Sequence, residues 1–332
     1  MAEPVRYGGQ AVIEGVMMRG SRHFAVACRR ADGSILVHDE PVPAFFTRFA
    51  WARWPFLRGV FALMDSLILG MKSLLYSANL AMEEQARPQP PPPTITQVLL
   101  GPLMPLLSAG GEVGGRPISN ISVTGSAIGG MLLGLGLFMI TPGLLAQLAT
   151  PILGETRWRA VVEGLVRVGL MLGYIALIGR MKEVKRLFQY HGAEHKAINA
   201  MELEGSLSLE SAMRASRIHP RCGTNFVITV LIVKMLVVMA LPWQTNLMSI
   251  AMMRVALLPL VASISYEVIR LAGRYRNFAP LQWLVTPGLL TQLMTTREPA
   301  SEMVEVAIAS LRGVMVREGA TPPDSAPATT IA

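Results

Sequence analysis

Four stretches of the chain stay apolar over the roughly 20 residues that a helix needs to cross a bilayer: Val123 to Leu148, Val161 to Arg180, Phe226 to Leu241 and Leu247 to Tyr266. Pro142 is expected to kink the first of them. In the second, Glu163 and Arg167 stand one helical turn apart in the order that favours pairing, so the two charges are expected to neutralise each other. Lys234 falls inside the third and needs a polar partner or a watery cavity.

The run from about Arg58 to Glu84 has another pattern. Wound at 3.6 residues per turn, Asp65, Lys72, Tyr76, Asn79 and Glu83 fall in one narrow sector, while Leu63, Leu67, Leu74 and Leu75 lie away from it. This predicts an amphipathic helix that associates with the membrane without crossing it. Charge agrees. With four crossings, the amino-terminal region, the connector after the second span and the carboxyl-terminal region share one side. From Arg180 to Cys222 that side carries eight Lys/Arg against five Asp/Glu, and the turn Pro242 to Asn246 opposite carries no charge. The bias of cytoplasmic loops toward Lys and Arg places the shared side, with both termini, in the cytoplasm.

The expected fold class is a mainly α-helical polytopic membrane protein with about four transmembrane helices and a small β-rich region. Its divisions are residues 1–57 (β-rich, cytoplasmic), 58–84 (amphipathic helix), 85–121 (Pro/Gly-rich linker containing Pro90 to Pro93) and 122–181 (transmembrane helices). Residues 182–224 (a cytoplasmic His/Cys-rich connector), 225–273 (two further transmembrane helices), 274–318 (a cytoplasmic segment) and 319–332 (a disordered tail) follow. In the amino-terminal region, glycines bracket the apolar run Gly8 to Gly20, and Phe24 to Arg30 with Ser34 to His38 predicts a hairpin across Ala31-Asp32-Gly33. Glu14 reads either as a site carboxylate on a strand or as a hydrogen-bonded structural acid.

Composition supports the membrane reading: 332 residues with 52% hydrophobic and 16% charged side chains are too apolar for an ordinary soluble protein. Two cysteines are too few for a disulfide framework. The amino terminus lacks the charged-then-apolar order of a secretory signal, so no cleavage is expected. The net charge of +8 comes without a basic run interleaved with aromatics, which argues against nucleic acid and leaves the anionic bilayer surface as the expected partner.

One short polar stretch between these apolar segments carries chemistry. Tyr190-His191-Gly192-Ala193-Glu194-His195-Lys196 is followed by His219-Pro220-Arg221-Cys222, gathering three of five histidines and one of two cysteines. On a helix, His191 and His195 point the same way and can grip one metal ion beside Glu194. His-x-x-Glu-His is the inverted form of the zinc-peptidase helix motif, in which the glutamate handles the proton of the attacking water. His219 and Cys222 are further candidate ligands, on a loop because Pro220 interrupts it. If both join, four protein ligands close a structural site; if one joins, a place stays open and Glu194 can act as a base, with Arg221 or Lys196 stabilising an oxyanion. Glu267 is a further candidate ligand, by analogy with the distant downstream glutamate of inverted zinc peptidases.

Together, Gly8 to Gly20, Tyr190 to Lys196, His219 to Thr224, Ser265-Tyr266-Glu267 and Thr295 to Pro299 resemble the YqhQ-like family of bacterial multi-pass membrane proteins. The resemblance covers most of the chain. It implies a bacterial inner-membrane location and a metal-dependent enzyme, and it supplies neither substrate nor reaction. Two classes of function follow. One is a zinc-dependent membrane hydrolase cleaving a peptide or amide bond at the cytoplasmic face; the other is a non-catalytic, metal-stabilised membrane scaffold or transporter component.

Overall fold

The computed structural model describes residues 7–42, 54, 57–86, 129–130, 132–134, 136–148, 150–153, 157–241, 247–275 and 278–323. Most of the expected linker and the end of the expected disordered tail lie outside these residues. Four strands, β1 (Gly8–Val12), β2 (Gly15–Arg19), β3 (His23–Arg29) and β4 (Ile35–Pro41), form an antiparallel meander in sequence order. The helices are α1 (Leu57–Ala86), α2 (Thr141–Gln147), α3 (Arg157–Ile178), α4 (Lys182–Glu204) and α5 (Leu209–Arg214). They continue with α6 (Gly223–Ala240), α7 (Leu247–Arg274), α8 (Ala279–Thr295) and α9 (Ser301–Arg317). The chain divides into two compact units: Met1–Pro88 with Lys185–Val230 and Met253–Ala332, and Gln89–Val184 with Leu231–Met252.

The hairpin expected across Ala31-Asp32-Gly33 is present, closed by Asp32 Oδ1 accepting from Ser34 N at 2.9 Å and by Gly33 at φ 85°. The turn between β1 and β2 puts Glu14 at φ 50°, a conformation uncommon outside glycine. What holds it there is its carboxylate, which takes both guanidinium contacts of Arg186 and accepts from the Tyr190 hydroxyl at 3.2 Å. Glu14 is therefore the structural acid of the two readings.

Because side chains alternate across a strand, the sheet has two apolar faces and buries both. Val12, Met17, Phe24, Val26 and Cys28 cluster with Leu69 of α1. Val16, Met18, Ala25 and Ala27 pack instead against α4 (Tyr190, Ala193, Ala197) and α9 (Val304, Ala307, Leu311).

The polar sector of α1 faces this sheet rather than water. Asp65 pairs with Arg19 at 3.4 Å, Lys72 pairs with Glu40, and Tyr76 stacks on His38 at 4.7 Å between ring centroids. Ser77 Oγ accepts from Ile13 N at 3.3 Å and Glu84 from Ala31 N at 3.0 Å. From Asp65 to Glu84, roughly 28 Å of helix at 1.5 Å per residue is tied along the strands. The opposite stripe, Met64, Ile68, Met71, Leu75 and Met82, is exposed.

Among the described residues, four helices are long and apolar enough to cross a membrane: Leu57–Glu84, Trp158–Ile178, Gly223–Ala240 and Ala256–Arg274. The number matches expectation; the membership differs. The helix within Val123 to Leu148 is the shorter Leu132–Gln147, and α1 joins the set by length and composition. Fastening α1 to a sheet that bears Arg19, Arg30 and Glu40 opposes a crossing, because those charges would have to follow it into hydrocarbon.

In the other unit, Glu163 and Arg167 pair at 2.8 Å as expected, and Arg167 Nε also donates to Phe138 O at 2.9 Å. That carbonyl belongs to a π-helical stretch, Gly136–Ile140, leading into α2. Pro142, expected to kink the segment, stands in the first turn of α2 directly after that stretch. Lys234 also engages a partner.

Cysteines introduced at exposed Trp54, before α1, and at Glu83, near its end, should react with an impermeant maleimide from the same membrane face. Labelling from opposite faces would show that α1 crosses.

Candidate metal centre

The centre is organised by α4, which is buried from Gly192 to Ala200 and divides its residues among three surroundings. At 3.6 residues per turn, Tyr190, Ala193 and Ala197 face the sheet and α9. Leu187, His191, Glu194 and Ile198 face a cavity of about 490 Å³, which is also walled by β1 from Gly8 to Ala11. The third group, His195, Lys196 and Asn199, faces the loop after α5 and gathers its carbonyls. Lys196 Nζ donates to Met213 O at 2.7 Å and Ala215 O at 3.0 Å; Asn199 Nδ2 donates to Ser216 O at 2.6 Å and Ile218 O at 3.0 Å; His195 Nδ1 donates to Arg217 O at 2.6 Å. The loop is pinned carbonyl by carbonyl and then delivers His219 and Cys222. Buried Gln292 of α8 completes the delivery, accepting from His219 N and donating to His219 O, each at 2.8 Å.

These bonds set the imidazole tautomers. A carbonyl oxygen can only accept, so Nδ1 carries the proton in His195 and also in His191, whose Nδ1 lies 2.9 Å from Thr295 O. Both Nε2 lone pairs are thereby turned toward Cys222. His191 Nε2 is 3.2 Å from Cys222 Sγ, and the sulfur is also 3.1 Å from Thr224 Oγ1. His195 Nε2 is buried and has no hydrogen-bond partner. One ligand atom from each of His191, His195 and Cys222 lies within 4.8 Å of the others, and no other such trio was found among the described residues. An orphaned buried nitrogen, two imidazoles oriented by backbone acceptors and a thiol form a donor set that a zinc-like ion fits.

The other predicted residues divide. Glu194 lines the same cavity and is buried; burial pushes its carboxyl up to about 7, while the His191 charge and the backbone N–H of Gly9 pull it back. Arg221 lines the cavity and pairs with Glu202. His219 lines it too, with its ring centroid 5.6 Å from that of His195; its Nε2, like that of His195, is buried with no hydrogen-bond partner, lies 3.7 Å from Glu202 Oε2 and is not grouped with the three ligand atoms. Burial, opposed by the Glu202 carboxylate and reinforced by Arg221 and His195, lowers the His219 pKa.

Two of the expected residues are engaged elsewhere. The Lys196 ammonium meets two carbonyls and, at 2.7 Å, Glu298, and it does not line the cavity. Both oxygens of Glu267 are held by Arg58 Nε and Nη2 at 2.6 Å.

Other positions were missed. Gly192, inside the His-x-x-Glu-His run, is crossed by the 295–299 segment, and a Cβ there would meet Arg297 O at 2.1 Å. That close crossing is what brings Thr295 O to His191. Gly9 is similar, since a Cβ there would meet Glu194 Cδ at 2.9 Å. The signal was available in the glycines of both motifs, but nothing local showed that the motifs meet.

Residues 54–317 match a family described as "Protein of unknown function (DUF1385)". Over 328 residues the chain is 34% identical to "Uncharacterized protein YqhQ" of Bacillus subtilis (strain 168), covering 99% of this chain and 98% of that one. No solved structure matches.

Gly192→Ala should displace the 295–299 segment and destabilise the fold by about 1–3 kcal/mol, the usual cost of overpacking. Thermal unfolding of the purified protein in detergent measures this. His219→Ala should leave metal binding nearly intact, since its nitrogen is outside the ligand trio. Metal loss equal to that of His195→Ala would make His219 a ligand.

Proposed function

The chain belongs to the DUF1385 family, and we propose that it is a zinc-dependent hydrolase of peptide or amide bonds acting at the cytoplasmic face of the bacterial inner membrane. The observation that carries this reading is the partnerless buried Nε2 of His195 in a residue grouped with His191 and Cys222, the latter two lining a cavity that Glu194 also lines. His191, His195 and Cys222 would hold the ion. Mixed imidazole and thiolate donors favour zinc among the divalent metals. When bound, zinc supplies a Lewis acid that makes water nucleophilic near neutral pH and polarises a carbonyl.

The chain's own groups do the rest. Glu194, whose carboxyl hydrogen-bonds the Gly9 N–H, takes a proton from the attacking water and returns it to the leaving nitrogen. The water oxygen bonds to the carbonyl carbon as the C–N bond breaks, giving an acid and an amine. Arg221, on the cavity wall and paired with Glu202, would stabilise the oxyanion. Three protein ligands suit this chemistry because they leave one coordination place open. The excess of Lys and Arg between Arg180 and Cys222 supports a cytoplasmic site.

A second reading, a metal staple in a membrane scaffold or transporter component, draws on the nearness of His219 to His195. A shift of His219 into the fourth place would close the site.

The purified protein should carry about one zinc and lose it in His191→Ala and in His195→Ala. Glu194→Gln should keep the metal while lowering turnover about a hundred- to ten-thousand-fold. Complementation in which Glu194→Gln behaves as wild type while both histidine variants fail would replace the hydrolase with the staple.

A further inference from the structure

Beyond the wall formed by Arg221, Cys222 and Gly223 lies a second cavity, of about 1010 Å³. Those three residues and Ser66 line both cavities, so a ligand in the second one has Cys222, a candidate metal ligand, at its side. Its apolar wall is built from Ala62 and Leu63 of α1, Phe226 of α6, and Tyr266 and Ile269 of α7. Its charged groups are Glu202, Arg221 and Arg270.

Depth narrows what it can take. α6 begins and α7 ends at this wall, and each contains a stretch apolar enough to cross a membrane, Gly223–Ala240 and Ala256–Arg274. The ends of crossing helices lie at the level of lipid headgroups, and Leu63 of α1, which lines the cavity, is exposed. Charge narrows it further. Glu202 is already bound by Arg221, whereas exposed Arg270 makes no ion pair among the described residues, leaving a guanidinium to meet an anion.

We propose that the substrate is an amphiphile of the bilayer with an anionic headgroup. Its chain lies among Leu63, Phe226, Tyr266 and Ile269, its headgroup meets Arg270, and its scissile linkage reaches the centre past Arg221 and Cys222. The proposal rests on the hydrolase reading for what happens to the ligand, but not for its binding. A peptide fits less well. A peptide that docked by extending the edge strand β1 beside the centre would find the Gly9 N–H already taken by Glu194. A small soluble anion would leave the apolar wall wet.

The test is photocrosslinking of the full-length, zinc-loaded protein in phosphatidylcholine nanodiscs that contain phosphatidylglycerol with a diazirine on its acyl chain. Adducts should map to peptides carrying Leu63, Phe226 or Ile269. They should be competed by unlabelled phosphatidylglycerol and not by phosphatidylcholine, glycerol phosphate or an apolar transmembrane peptide. Arg270→Glu, a substitution at an exposed position, should cut crosslinking about tenfold, equivalent to about 1.4 kcal/mol, and Ala62→Trp should fill the cavity and do the same. Adducts confined to the outward faces of α6 and α7, or unchanged in Arg270→Glu, overturn the proposal. Competition by the peptide reassigns the cavity to a protein ligand, and competition by glycerol phosphate reassigns it to a soluble anion. His191→Ala protein should crosslink like wild type. The readout is binding, so wild-type protein that takes up no zinc yet still crosslinks overturns the hydrolase alone, and a zinc-loaded wild-type protein that does not crosslink overturns the amphiphile alone.

Discussion

The centre depends on one row of side chains, His195, Lys196 and Asn199, which hold the carbonyls of residues 213, 215, 216, 217 and 218. A buried ammonium and a buried amide are costly unless every donor finds an acceptor, so the loop has few other paths that leave them satisfied. This is a constraint of geometry more than of strength. Each bond contributes modestly to stability, yet losing its acceptor would strand a donor in the interior. The same bond that pins Arg217 O orients His195, coupling the path of the loop to the ligand that it approaches.

Four motifs far apart in the chain meet at α4 for related reasons. Gly9 lets β1 come close enough to hydrogen-bond Glu194. Gly192 lets the 295–299 segment cross the helix and present Thr295 O to His191. The loop from 219 brings Cys222 to within 3.2 Å of the His191 nitrogen. Removing a Cβ is the simplest way to let backbone reach a helix at this range, which explains glycines in both polar motifs without invoking a phosphate loop.

The surroundings of α1 reverse the usual logic of an amphipathic helix. In water the polar sector would face out; here Asp65, Lys72 and Tyr76 face the sheet and the apolar stripe is left uncovered. Such a stripe is tolerable where the solvent is lipid. Large exposed apolar side chains also mark α3 and α7, consistent with helices whose outer faces meet hydrocarbon.

Much was legible in the sequence itself, because periodicity is a local property. Three of the four expected apolar spans, the amphipathic α1, the β3–β4 hairpin and the Glu163–Arg167 pair follow from spacing within one element, and His191, Glu194 and His195 share a helix whose pitch puts them together. The choice among distant partners did not follow. Cys222 joins the trio and His219 stands behind it because the carbonyl clamp sets the path of the connecting loop. Lys196 gives its protons to that clamp, and Glu267 gives both its oxygens to Arg58, more than two hundred positions away. Such outcomes depend on which buried donors and charges must be satisfied across the whole chain, and spacing within a single element carries no record of them.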